Sequence, residues 1–166
     1  MNEELGLTPI FDIVRAFSWK GVFLGGITDV AATGIIRIPL AIIAVIGSNL
    51  TSLPLSTWGT AVVAVIEASP GLRITGWVLG AMCSVLGGYV AARIANRGEL
   101  INGALSAYFW VGLRAYSIVA SYSTTPRWQH LVAFVGSPVL GASGGYLWAR
   151  RANRMLAATK ASVQPM

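Results

Sequence analysis

The stretch KGVFLGGITDVAATGIIRIPLAIIAVI, Lys20 to Ile46, is 27 residues long and holds two charged residues between its ends, Asp29 and Arg37. A bilayer crossing needs about 17–25 predominantly apolar residues, so this run is long enough to span with some tilt. It lacks the alternation of polar and apolar residues that a barrel strand requires, and an open sheet cannot satisfy its backbone in hydrocarbon. A helix is the remaining solution. Three further runs have the same character, over residues 74–92, 103–121 and 131–149. The expected fold class is all-α, a polytopic bundle of four transmembrane helices with short interfacial helices, forming one transmembrane domain over residues 1–166.

Composition agrees with these runs. The chain is 55% hydrophobic and 11% charged, with a mean hydropathy of +0.67, whereas an average soluble domain is about 25% charged. So few charges cannot cover a water-facing surface. The net charge of +6 does not imply a nucleic-acid partner, because the basic residues sit at the ends of apolar runs, where they set membrane topology and meet anionic headgroups. The acidic start, Met1-Asn2-Glu3-Glu4, lacks a basic n-region and a cleavage site, so the first apolar run is expected to remain attached.

The same charges give an orientation. Arg15, Lys20, Arg93, Arg97, Arg150, Arg151, Arg154 and Lys160, eight of the 12 basic residues, fall on one side if the chain crosses four times. That side is the cytoplasm by the positive-inside rule, so both termini are expected there. Trp19 and Trp148 then lie near the inner interface, and Trp58, Trp77 and Trp128 near the outer one. Thr8-Pro9 reads as an N-cap and first helical position, opening an interfacial helix over about 9–17. The outer segment, about 47–72, contains an apolar stretch, 53–69, closed by Pro70-Gly71. Making it a fifth crossing would separate Arg15 and Lys20 from Arg150 and Arg151, so an outer-surface or re-entrant helix is expected. Residues 150–166 form a cytoplasmic tail.

An internal repeat runs through the chain. Gly87-Gly-Tyr-Val-Ala-Ala-Arg-Ile-Ala-Asn-Arg97 recurs as Gly144-Gly-Tyr-Leu-Trp-Ala-Arg-Arg-Ala-Asn-Arg154, with eight of 11 positions identical at an offset of 57 residues. That offset is two crossings, which suggests two parallel helical hairpins related by an axis along the membrane normal. Small residues recur every fourth position upstream of each copy: Gly76, Gly80, Ser84, Gly88 and Ala92, then Ala133, Ser137, Gly141, Gly145 and Ala149. Such ridges let helix backbones approach closely within lipid, so these residues are the expected packing positions. The first run has a related seam, Gly21, Gly25, Asp29, Thr33 and Arg37.

Charges inside the apolar runs are the candidate chemistry. An ionised group at the bilayer centre costs about 2.5–3.5 kcal/mol on insertion scales, so Asp29, Arg37 and Arg114 should face inward and pair. Counted from the cytoplasmic ends, Asp29 lies about 14 Å deep and Arg114 about 16 Å. Arg37 lies about 12 Å beyond Asp29 and can snorkel to outer water. Asp29 with Arg114 reads either as a structural pair that fixes helix register or as part of an ion or substrate relay. Pro39 and Pro138 free the carbonyls of Ile35 and Phe134, a feature of broken transporter helices and of plain kinks alike.

Catalysis finds little support. Gly141-Ala-Ser-Gly-Gly145 is similar to the Gly-x-Ser-Gly of rhomboid proteases, but a serine nucleophile needs a base within hydrogen-bond reach. His130, the one histidine, precedes Ser143 on the same helix by about 20 Å of axial rise. Cys83 is the single cysteine, which excludes an intramolecular disulfide and a cysteine metal cluster. No catalytic, cofactor or metal site is expected.

Leu24-Gly25-Gly26-Ile27-Thr28-Asp29-Val30, Gly87-Gly88-Tyr89-Val90-Ala91-Ala92-Arg93-Ile94-Ala95 and Glu99-Leu100-Ile101-Asn102-Gly103-Ala104 resemble the motifs of a group of small four-helix integral membrane proteins of bacteria. The resemblance implies a four-helix fold and a bacterial inner membrane, and it lends no activity. The expected partners are the lipid bilayer and either a second copy or another membrane protein. The expected role is that of a structural or accessory membrane subunit. The alternative is a small oligomeric transporter or channel using Asp29, Arg37 and Arg114.

Overall fold

Prolines and a left-handed asparagine set the breaks in the computed structural model, which describes residues 16–48, 50–52, 54–120 and 127–163, with the side chains of 51, 110, 113–120, 127–130 and 161–163 left outside the description. Helix α1 runs over Trp19–Gly47 and is followed by a 3-10 turn, Leu50–Ser52. Helix α2 covers Leu55–Ala68, α3 Pro70–Ala95, α4 Glu99–Ala120 and α5 Arg127–Val163. The described residues hold no strand.

The α2–α3 junction is a single residue. Proline disfavours the helical conformation in the residue before it, and Ser69 is extended, with φ −91° and ψ 111°. Its N–H closes α2 on the Val65 carbonyl at 3.0 Å, and its own carbonyl accepts from Arg73 N–H at 3.0 Å to open α3. Pro70 occupies the first helical position, where the missing N–H costs nothing. Pro70-Gly71 therefore begins α3 rather than closing the outer segment, and α3 starts one turn before Ile74.

Helix α5 also differs from expectation, continuing past Ala149 through most of the expected tail to Val163. The continuation, Arg150-Arg-Ala-Asn-Arg-Met-Leu-Ala-Ala-Thr-Lys160, is rich in strong helix formers and contains neither glycine nor proline. Within the segment expected on the outer side, α2 has 14 residues, a rise of about 21 Å and too short to span hydrocarbon. Residues 9–15 of the expected interfacial helix lie outside the described residues.

Three helical stretches among the described residues are long and apolar enough to cross a membrane: Trp19–Gly47, Pro70–Ala95 and Leu131–Lys160. Their burial is the inverse of a water-soluble domain. Ile35 and Ile46 are 67% and 75% exposed, and Phe23, Ile42, Ile43, Val78 and Met82 also face outward. Apart from Leu40 and Leu50, the buried side chains are small or polar, among them Asp29, Thr33, Cys83, Ser84, Ala91, Ala92, Asn102, Ser106 and Ala107.

The chain divides into two compact units, one of residues 1–29 with 84–166 and one of residues 30–83. In the first, glycines set the helix contacts. A β-carbon on Gly25 would lie 2.6 Å from both the Gly87 carbonyl and the Ala91 side chain, and one on Gly21 would lie 2.7 Å from the Ala91 carbonyl. These contacts pack α1 antiparallel to α3. Gly88 meets the backbone of Gly141, and Gly144 that of Val85 and Tyr89, which sets α3 beside α5 in parallel. Gly141 meets Gly103, and Gly145 meets Glu99, joining α5 to α4 antiparallel. Phe109 of α4 closes the ring of helices by packing on Gly26 and edge-on against Phe23 of α1, with ring centroids 5.6 Å apart. In the second unit, Ile38, Ile42 and Ile46 of α1 and Trp58 and Val62 of α2 line an apolar groove.

Candidate functional site

Asp29 sits where the small-residue seam of α1 meets α3. It is 2% exposed, and Ser84 Oγ donates to its Oδ2 at 3.0 Å. One turn away, Gly87 lies against it so closely that a β-carbon there would come within 2.9 Å of the Asp29 Cβ and 2.8 Å of the Gly25 carbonyl. The close approach depends on Gly25 and Gly87 lacking side chains. It brings a serine hydroxyl to a carboxylate on the neighbouring helix, and a hydrogen bond to a charged acceptor is stronger than a neutral one.

The other two charges of the apolar runs are placed differently. Arg37 belongs to the unit of residues 30–83 and is exposed. Arg114 lies on α4, and its side chain is outside the described residues. The register of α1 on α4 follows from Gly26 against Phe109. One turn further along, Asp29 is level with Gly112, two residues before Arg114.

The packing positions divide into two groups. Gly88, Gly141 and Gly145 meet neighbouring backbones, and Ala92 is fully buried. Ser84 is buried and serves Asp29. Ser137 and Ala149 are half-buried. A β-carbon on Gly76 would find only Leu40, at 3.8 Å, and one on Gly80 would meet nothing within 4 Å. Gly87 and Gly144, which fall outside the four-residue ridges, make contacts as close as those of the ridge glycines. The two copies of the repeat use these glycines differently, since Gly87 lies on α1 while its counterpart Gly144 lies on α3.

A second buried polar centre was not singled out by the sequence. Asn102, in the first turn of α4, is 0% exposed. Its Oδ1 accepts from Ser18 N–H at 2.7 Å, and its Nδ2 donates to the carbonyls of Ala16, Arg97 and Gly98 at 2.8, 2.9 and 3.0 Å. One side chain thereby ties the segment before α1 to the α3–α4 turn. That turn has left-handed residues at Asn96, φ 50°, and Gly98, φ 53°, with asparagine at the position where it commonly ends a helix. The signal in the sequence was an amide in the first helical turn, four residues after the glycine of Asn-Arg-Gly, a turn composition whose carbonyls need donors.

Cys83 is buried and unpaired with any other cysteine. No group of three or more metal-ligating side chains occurs among the described residues. No protein-family model matches the chain, and no curated protein or solved structure matches it at a significant level.

Proposed function

We propose that this chain is an integral membrane protein with four crossings, α1, α3, α4 and the apolar part of α5, and that it serves as a structural or accessory membrane subunit. The inverted burial pattern supports the membrane reading, since isoleucines face outward while Asp29, Ser84 and Asn102 face inward. Support for α4 as the fourth crossing comes from its 22 residues, a rise of about 33 Å. It also packs antiparallel to α5 through Gly103 and Gly141, so its axis lies along that of a helix long and apolar enough to cross. With four crossings both termini lie in the cytoplasm, and the bilayer is a bacterial inner membrane. Helix α2 then lies on or re-enters the outer face.

The observation that carries the structural role is the setting of Asp29. Its carboxylate is engaged by Ser84 inside a seam closed by Gly25 and Gly87, an arrangement suited to fixing helix register in lipid. Small-residue positions without a close neighbour, such as Gly80 and Gly136, offer contact to a second copy or another membrane protein. The transporter reading retains one observation in its favour: a carboxylate and a hydroxyl oxygen lie 3.0 Å apart within apolar helices, a pairing that can hold a proton or a small cation.

Proteoliposomes separate the two. A structural subunit leaves proton and alkali-cation gradients decaying at the rate of protein-free vesicles, with or without Asp29→Asn and Arg114→Gln. A gradient dissipated by the wild type and preserved by the double variant overturns the structural role.

A further inference from the structure

Two arginines from different helices converge on one aromatic pair. Tyr89 and Arg93 lie one turn apart on α3, and Trp148 and Arg151 lie nearly one turn apart on α5. The rings of Tyr89 and Trp148 meet edge to face with centroids 5.5 Å apart. The Arg93 guanidinium carbon sits 5.8 Å from the centroid of the Trp148 ring. Arg151 Nη1 donates to the Tyr89 hydroxyl at 3.2 Å. The Arg93 guanidinium thus lies over the Trp148 ring and that of Arg151 at the Tyr89 hydroxyl, and no carboxylate among the described residues forms an ion pair with either. Arg150 and Arg154 add charge on the same end of α5, and both are exposed.

Like charges gathered without a counterion repel, so the arrangement calls for an anion. Guanidinium forks match phosphate oxygens in geometry. The Tyr89 hydroxyl accepts from Arg151, which leaves its own proton for an external acceptor. Within one turn of the cluster in sequence, Leu86 and Leu147 expose apolar side chains, a surface for acyl chains rather than for a free ion.

The repeat shows how this cluster is specific to one place. The two copies differ at three positions, Val90/Leu147, Ala91/Trp148 and Ile94/Arg151. Two of the three supply the cluster. Ala91 cannot carry the larger side chain, because it is fully buried against Gly21 and Gly25 of α1. The shared half, Tyr89 and Arg93, comes from the first copy and the divergent half, Trp148 and Arg151, from the second.

We infer that Tyr89, Arg93, Trp148 and Arg151 form a binding site for the phosphodiester headgroup of an anionic glycerophospholipid. Basic pockets between helices at a cytoplasmic interface bind such headgroups. The inference rests on the membrane reading above. Its test uses the purified full chain in detergent and measures the rise in melting temperature against added phosphatidylglycerol, phosphatidylcholine or inorganic phosphate. Phosphatidylglycerol should stabilise at lower concentration than phosphatidylcholine. Arg93→Gln and Arg151→Gln should each raise the half-saturating phosphatidylglycerol concentration about fivefold, while Arg73→Gln, at the other end of α3, should leave it unchanged. If the glutamine variants do not fold, Arg93→Lys and Arg151→Lys, which keep charge but lose the fork, should still bind phosphatidylglycerol more weakly than the wild type. Unchanged lipid selectivity in the variants overturns the site, as does equal stabilisation by inorganic phosphate. Detergent has no sidedness, so an error in the topology is read separately, by the membrane face from which a cysteine at position 99 is labelled.

Discussion

Ser84 on α3 donates its hydroxyl to the Asp29 carboxylate on α1 across 3.0 Å, and both residues are buried. Hydrogen bonds to charged groups are worth about 1.5–3 kcal/mol, and a buried acceptor left without its donor forfeits its desolvation as well. Ser84→Ala is therefore expected to lower unfolding free energy in detergent by about 2 kcal/mol. Asp29→Asn, which keeps an acceptor oxygen, should cost less than Asp29→Ala. The double variant Asp29→Ala with Ser84→Ala should cost less than the sum of the two single changes. Strict additivity would mean that the two side chains do not interact.

Gly141 and Gly80 should respond oppositely to one methyl group. Gly141 meets the backbone of Gly103 and the Ala107 side chain, whereas a β-carbon on Gly80 meets nothing within 4 Å. Gly141→Ala must separate α4 from α5, and overpacking of this kind costs about 1–3 kcal/mol. Gly80→Ala gains helix propensity and should melt at or above the wild-type temperature. Equal destabilisation by both would count against this arrangement of helices.

Asn102 is expected to be the least replaceable amide in the chain. Asn102→Ala removes one acceptor and one donor group serving four backbone partners. A loss of about 2–4 kcal/mol follows from the orphaned groups. Asn102→Asp is expected to be worse, because it places a carboxylate against the carbonyls of Ala16, Arg97 and Gly98. Limited proteolysis provides the readout: both variants should be cut in the α3–α4 turn under conditions that spare the wild type. Wild-type resistance in Asn102→Ala would remove the latch from the account.

Trp148 offers a test of ring against N–H. Its Nε1 is buried without an acceptor among the described residues, so Trp148→Phe discards no hydrogen bond there while keeping the edge-to-face contact with Tyr89. Melting within about 2 °C of wild type is expected for Phe, against a clear loss for Trp148→Ala, where cavity formation at a large aromatic costs up to about 3–5 kcal/mol. A Phe variant as unstable as the Ala variant would show that the indole N–H matters.

The long apolar runs made the helices legible, because hydrocarbon-length segments leave few alternatives. Their ends were less so. Pro70 is a helix opener when the residue before it turns extended, and α5 continues because Ala, Arg, Met and Leu sustain a helix outside the apolar run. The burial of Asp29 followed from the cost of charge in lipid, but its partner Ser84 was hidden among the small residues. A serine is both small and a donor, and spacing alone does not separate the two uses. The four-residue ridges likewise placed Gly76 and Gly80 in line with Gly88, though a shared row does not fix which part of it meets another helix. Gly87, one position off the row, packs against the Asp29 Cβ beside the Ser84 hydrogen bond.

Sidedness labelling of single-cysteine variants on a Cys83→Ala background tests the four-crossing account most directly. Cysteines at Ser56, Glu99 and Thr124 report the segments before α3, between α3 and α4, and between α4 and α5. The account predicts that a membrane-impermeant maleimide reaches positions 56 and 124 from outside the cell and position 99 only after the cytoplasmic face is opened. Labelling of 99 and 124 from the same face would contradict it, because α4 would then not cross.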